Sequence, residues 1–390
     1  MWNALKRALH KKLRSLRILK SRWIGKLKNG PVFSLEIFEL ILDCLAEDVD
    51  TQTLHTCSLV CKAFVEPSQR LLFRTLIIWD WDLPPAVLFE EFVRKNEKVV
   101  GYITHMDYTV GRMCSSGRGL SSQNEQHTIQ SLLLLPNLQN LCIRNQDSSK
   151  SPGFVYDNLF RHYLSTGRLT TLSLSTLDNV PILTILSSPT LQRFTTKFCK
   201  FKLDGTTLIE PSGGCGLVHL DMTGYTIPVA AVLSCKQLRY LRLSSIVLQS
   251  HPTHSSIFTP LSPSSLSSIE TLGLDGNVNL ADLYNDAKRE RVQVFPNVKH
   301  LTITTRDDSF DNTHVVSQAL SHIRSLESFE LDRAQETPPR IANGNLTPLI
   351  PIEEFLQNLP NHTASLRKLV FTMQSYGYAR NNQLVDILSL

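Results

Sequence analysis

Cys57 and Cys61 stand four residues apart, a spacing that brings two thiols onto one face of a helix, where they could share a metal or a redox step. Neither chemistry has the rest of what it needs. The eight cysteines include no Cys-x-x-Cys pair, and the 12 histidines complete no ligand pattern. The two thiols therefore read as small apolar side chains. No Gly-x-x-x-x-Gly-Lys phosphate loop, His-Glu-x-x-His or Gly-x-Ser-x-Gly occurs. Gly117-Arg118-Gly119 lacks the flanking strand and helix of a dinucleotide loop. No acid, base or nucleophile converges, so neither catalysis nor a bound metal or cofactor is expected. The chemistry on offer is recognition.

The elements that would carry recognition begin with residues 33 to 73, FSLEIFELILDCLAEDVDTQTLHTCSLVCKAFVEPSQRLLF. A helix starting after Ser34 carries Leu35, Ile37, Phe38, Leu40, Ile41, Leu42 and Leu45. It is apolar around most of its circumference, where a surface helix needs a single stripe. A unit of about forty residues cannot bury that much apolar surface by itself. A partner protein is the natural cover for the remainder. Asp50 or Thr51 can cap a second helix through Leu54, Cys57, Leu59, Val60 and Phe64. Pro67 then resets the chain for a short third helix around Arg70 to Phe73.

The order of these residues resembles the F-box. That family opens on Leu-Pro-x-Glu-Ile, continues through a Leu-Val-Cys/Ser-Lys/Arg-x-Trp/Phe block and closes on Leu-Phe. Here the opening is Phe33-Ser34-Leu35-Glu36-Ile37, the block is Ser58-Leu59-Val60-Cys61-Lys62-Ala63-Phe64, and the close is Leu72-Phe73. Ser34 replaces the usual proline, which as an N-cap preserves the helix start, and Phe64 stands where Trp is commonest. The resemblance covers about a tenth of the chain. It implies a trihelical unit, residues 31–74, that docks on the adaptor subunit of SCF-type ubiquitin ligases and through it on a cullin, while the rest of the chain selects a protein substrate. By position it carries over Phe33, Leu35, Ile37, Leu40, Ile41, Leu45, Leu59, Val60 and Phe64 as the adaptor-facing or motif-core set.

The remainder, residues 75–390, repeats one phrase: apolar, two variable, apolar, one variable, apolar. It occurs as Leu138-Leu141-Ile143, Leu169-Leu172-Leu174, Leu217-Leu220-Met222 and Leu238-Leu241-Leu243. It recurs as Ile269-Leu272-Leu274, Val298-Leu301-Ile303, Leu326-Phe329-Leu331 and Leu366-Leu369-Phe371, with a weaker copy at Leu191-Phe194-Thr196. Two copies open alike, Pro136-Asn137-Leu138 and Pro296-Asn297-Val298. The last two apolar positions share one face of a strand, and the residue between them points the other way. Helical stretches are predicted ahead of several phrases, over 124–135, 157–165, 181–186, 228–233, 313–323 and 352–359. Such helix–strand units bury their apolar sides only by stacking. The expected fold class is α/β: an irregular leucine-rich-repeat solenoid with a parallel sheet. The near-continuous Val/Ile runs of a doubly wound sheet are missing. Leu76 to Trp79 and Val99 to Ile103 read as the first two strands, so no long linker separates docking unit and repeats. Polar stretches at 111–127, 145–153, 251–268 and 333–348 read as edge insertions. Residues 384–390 end on apolar side chains, an incomplete or self-covered last rung. The substrate-binding residues are unassigned; Arg242, Thr302 and Glu330 are among the solvent-facing strand positions from which a receptor face would be built.

The formal charge of +5 is unevenly placed. Residues 1–28 hold 10 Lys or Arg and no Asp or Glu, so 40 less 10 leaves 30 basic against 35 acidic residues, a body of −5. A uniform nucleic-acid-binding surface is not indicated. In the leader, residues 1–30, Trp2, Leu5, Leu9, Leu13, Leu16, Leu19, Trp23, Ile24 and Leu27 share one side of a helix. A basic amphipathic helix suits an anionic membrane surface or a calmodulin-like groove, and it also resembles an organellar (mitochondrial) presequence. The favoured reading is a nuclear-localisation or solubilising arm packed on the repeats. Without a secretory signal, reduced thiols in cytosol or nucleus are expected. The alternative to a ligase subunit is a leucine-rich-repeat scaffold, attached to membrane through its leader.

Overall fold

The computed structural model describes residues 35–48, 50–60, 62–79, 86–110, 130–146, 157–202, 215–228, 235–249, 263–275, 278, 293–305, 323, 326–335, 365–375 and 384–386. Phe33, the leader and most of the polar insertions lie outside them. The chain divides into two compact units, Met1–Arg74 and Thr75–Leu390.

In the first unit three helices follow one another: α1 (Leu35–Glu47), α2 (Thr51–Val60) and α3 (Lys62–Leu72). The third departs from the expected short helix at Arg70. It runs unbroken through Pro67, and Phe64 belongs to it rather than to α2. An interior proline removes a backbone bond and costs about 3 kcal/mol. Proline's φ is nonetheless helical, and packing of α3 against α1 and α2 offsets that cost.

The second unit is α/β. Among the described residues twelve of its strands form one sheet in chain order, β1 (Thr75–Trp79), β2 (His105–Val110), β3 (Asn140–Asn145), β4 (Thr171–Ser175), β6 (Arg193–Lys197), β8 (His219–Pro228), β9 (Tyr240–Gln249), β10 (Thr271–Asp275), β11 (His300–Thr305), β12 (Ser328–Gln335), β13 (Lys368–Ser375) and β14 (Leu384–Asp386). A two-stranded ribbon pairs β5 (Val180–Pro181) with β7 (Phe201–Lys202). Every described pairing of the large sheet is parallel except β13 with β14. Among the described strands the order never reverses, so they form no crevice of the kind that doubly wound folds use for ligands.

The repeated phrase sets the register. Leu141, Leu172, Phe194, Leu220, Leu241, Leu272, Leu301 and Phe329 stand opposite one another across eight consecutive strands. All are buried, as are Ile143, Leu174, Thr196, Met222, Leu243, Leu274 and Ile303 two residues on. The weak copy at Leu191 thus sits in line, with Thr196 in an apolar column. Each strand starts two residues after the phrase's first position. Just ahead of the strands one carbonyl per rung accepts two amides from the next: Thr104 O takes Gln139 N (2.9 Å) and Asn140 N (3.0 Å). The same pair recurs to Glu327 O, which takes Arg367 N (2.9 Å) and Lys368 N (3.1 Å).

The residue immediately before the phrase is a clasp. Asn137 Nδ2 donates to Gly101 O and Asn297 Nδ2 to Ser267 O, both at 2.7 Å. The hydroxyls of Thr190, Ser268 and Ser365 donate from the same position to the carbonyls of Leu169, Leu238 and Leu326. This explains the twin Pro-Asn openings: each asparagine ties its rung to the one before.

Val99 to Ile103 is not a strand. Residues Glu97–Val100 form α5, after α4 (Ala86–Lys95), and β2 begins at His105. Ile103, Met106 and Tyr108 are all buried, so this rung obeys the phrase with Met and Tyr in place of Leu. Of the expected helices, α6 (Asp157–Ser165) has the predicted bounds and buries Leu159, Phe160, Tyr163 and Leu164. The Tyr163 hydroxyl donates to Leu132 O and Leu135 O, and burial holds its phenol well above the usual range. Helix α7 covers Ile182–Leu186, Pro181 belonging to β5. Only residues 130–132 of the stretch 124–135 are described as helix, and Pro228 ends β8 instead of opening a helix. Residues 229–233, 313–322 and 352–359 lie outside the described residues. Within the polar stretch 251–268, Pro263–Ser268 forms a short 3-10 turn. Leu384–Asp386 caps the sheet as the antiparallel β14.

Candidate docking surface

Helix α1 is described from Leu35, Ser34 lying outside the described residues, and α2 is capped by Asp50. The Asp50 carboxylate accepts the Thr53 hydroxyl at 2.7 Å and the Thr53 amide at 3.0 Å. These two bonds, the hydroxyl's first, hold the carboxyl below its ordinary value. Inside the unit Leu42 and Leu54 are buried. Phe38 of α1 meets Phe64 of α3 edge to face, with centroids 4.7 Å apart and planes at 88°. On the outer flank of α3, Arg70 pairs with Glu66 at 2.9 Å, an exposed contact worth a few tenths of a kcal/mol.

The nine positions singled out in the sequence separate by exposure. Leu40 is 58% exposed, Ile41 49% and Leu59 73%, while their neighbour Leu42 is 1%. Ile37, Leu45 and Phe64 are half-buried. Leu35 opens α1 and Val60 closes α2; Phe33 lies outside the described residues. At about 100° per residue, Leu40, Cys44, Ile37 and Ile41 form one stripe along α1, away from Leu42. The exposed Glu39, Asp43 and Glu47 run beside it. The arrangement is an apolar strip with an acidic margin, which can hold an apolar partner surface through burial and orient it by charge.

The outward side of the sheet carries a second set of polar groups. Arg242, Gly273, Thr302 and Glu330 are consecutive in register, so three positions expected to face solvent share one column. The stem of Arg242 lies across Gly273, where an added Cβ would come within 3.0 Å of Arg242 Cγ. The rings of His219 and Tyr240 stack at 4.0 Å. Burial first, then Arg193, lowers the His219 pKa against the opposing pull of Asp221. Arg144 pairs with Asp107 at 2.6 Å and also reaches the Cys142 sulfur. None of these pairs was foreseen, although they fall at the second, fourth and sixth positions after a phrase opening. Thr176 and Phe198, each just past its strand, and Gly224, inside the longer β8, occupy equivalent positions on three consecutive rungs with φ of 58°, 53° and 85°. Left-handed backbone is costly for Thr and Phe; Phe198 is exposed there and packs against Gly224.

Among the described residues no group of three or more His, Cys, Asp or Glu could hold a metal ion, and no helix is long and apolar enough to cross a membrane. Cys57 is half-buried, and Cys61 lies outside the described residues. No family model matches the sequence, and no curated protein matches it significantly.

Proposed function

We propose that the chain is the substrate-recognition subunit of an SCF-type ubiquitin ligase, acting in the cytosol or nucleus without catalytic chemistry of its own. In this reading α1–α3 are an F-box that docks on the adaptor subunit and, through it, a cullin. The strand repeats form a leucine-rich-repeat solenoid whose outward face, Arg242, Thr302 and Glu330 included, meets a protein substrate. Ubiquitin transfer itself belongs to other subunits.

The observation that carries the reading is the exposure of Leu40, Ile41 and Leu59 on a three-helix unit whose sequence has the F-box order of residues. Large aliphatic side chains left outward by a unit too small to cover them are the raw material of an interface core. The sheet lends support by its chain-ordered strands, parallel from β1 to β13, and by a phrase kept in register from strand to strand, the pattern that stacked repeats require. The test is co-purification of adaptor and cullin with the full chain. Leu40→Asp on α1 and Leu59→Asp on α2 each place a charge at an exposed apolar position without touching the buried core. Both should abolish recovery of the adaptor while leaving the protein folded by circular dichroism; undiminished recovery would remove the docking assignment. A membrane-tethered scaffold would recover neither subunit and would float with anionic vesicles through residues 1–28.

A further inference from the structure

We propose that the basic leader folds back on the outward strip of α1 and competes there with the partner that α1 holds, so that the chain regulates its own docking surface. The proposal rests on the docking reading above.

The two surfaces match in chemistry. Along α1, exposed Leu40 and Ile41 run beside exposed Glu39, Asp43 and Glu47. The leader has the opposite margin: 10 Lys or Arg with no acidic residue, flanking an apolar side that includes Leu16, Leu19, Trp23 and Leu27. Apolar strip against apolar strip buries both, and a basic margin then meets the acidic one.

The tether makes this occupant hard to avoid. Asn29-Gly30-Pro31 is a helix-stopping sequence, with glycine suited to a C-terminal cap and proline unable to continue the turn. From Lys28 to Leu35 the chain can span at most about 25 Å. A connection this short joins consecutive helices as antiparallel neighbours. Residues 16–27, if helical, would measure about 18 Å, close to the roughly 20 Å of the 13-residue α1. A short tether holds the leader near α1 at an effective concentration on the order of millimolar. An untethered partner must displace it.

The test uses the full chain and three variants, Leu16→Glu, Trp23→Glu and Asp43→Lys. Hydrogen exchange over residues 36–47 reports the contact. The wild type should exchange several-fold more slowly than each variant at about 50 mM salt, and the difference should shrink near 500 mM as charges are screened. Affinity for purified adaptor reports the competition, and Leu16→Glu and Trp23→Glu should bind about fivefold or more tightly than wild type. Equal exchange in all four proteins overturns the proposal. So does leader-dependent flotation on phosphatidylserine vesicles with no change over residues 36–47, which assigns the leader to a membrane. Variants that speed exchange while no protein binds adaptor would keep the contact and refute the docking reading, so the two claims fail separately.

Discussion

Leu40 and Leu42 are two residues apart on α1, and truncating each to alanine should have opposite consequences. Leu42 is 1% exposed, so Leu42→Ala removes buried methyl groups and leaves a cavity, costing about 2–5 kcal/mol of stability. Leu40 is 58% exposed, so truncation should change stability by less than about 0.5 kcal/mol. A partner, however, would cover what is now exposed. Full burial of a leucine is worth about 1.5–3 kcal/mol, and somewhat over half of that remains available at Leu40, roughly 1–2 kcal/mol. Leu59, 73% exposed, offers slightly more. Each truncation should therefore weaken adaptor binding about five- to thirtyfold, with the urea midpoint unmoved. The assay pairs urea denaturation followed by far-ultraviolet circular dichroism with calorimetric titration of adaptor. The reasoning is refuted if Leu40→Ala lowers the midpoint as Leu42→Ala does, or if Leu40→Ala and Leu59→Ala both bind like wild type.

Further consequences follow from the repeats and caps. Asn297→Ala removes the donor to Ser267 O and should cost about 1 kcal/mol, read as a lower thermal midpoint; an unchanged midpoint would deny the clasp. Gly224→Ala puts a Cβ within 2.8 Å of the Phe198 ring at a φ of 85°, a loss of about 1–3 kcal/mol. Adding Phe198→Ala should recover part of it, and strict additivity would show that the ring contact does not matter. Asp50 is lowered in the folded state, so its contribution is complete above the unfolded value of about 3.9 and disappears as pH falls through the folded one. Exchange of the Thr53 amide should accelerate in that acid window, and Asp50→Ala should abolish the pH dependence. His219 is likewise lowered, so its stabilising share is present above about pH 6.5 and fades as pH falls through the folded value. Tyr240→Ala, by uncovering the ring, should move its NMR titration midpoint upwards; no movement would remove burial as the cause.

How much was legible in the sequence follows from what each residue answers to. The buried columns obey a period of two within each strand and one spacing between phrase positions, which is why Leu141 through Phe329 could be aligned without coordinates. Copies carrying Thr196, or Met106 with Tyr108, satisfy the same geometry with less typical residues, so the sequence signal of the first is weak and that of the second points six residues ahead of β2. Pro67 was weighted as a local breaker, whereas α3 is held by Phe64 and its neighbours across the unit. The left-handed residues Thr176 and Phe198 have no local signature, because neither residue type favours that backbone. On the docking unit the sequence showed an excess of apolar side chains on α1. Separating Leu40 and Ile41, which point outward, from Leu42, which points in, required the positions of α2 and α3.

Central to the proposed function is a surface for a second protein on α1 and α2. Hydrogen exchange of the full chain with and without purified SCF adaptor tests it most directly. Slower exchange confined to residues 36–47 and 51–60, with the strands from Thr75 onward unchanged, is the predicted result. A chain that forms no complex at micromolar concentrations, or is protected only along the sheet, would contradict it.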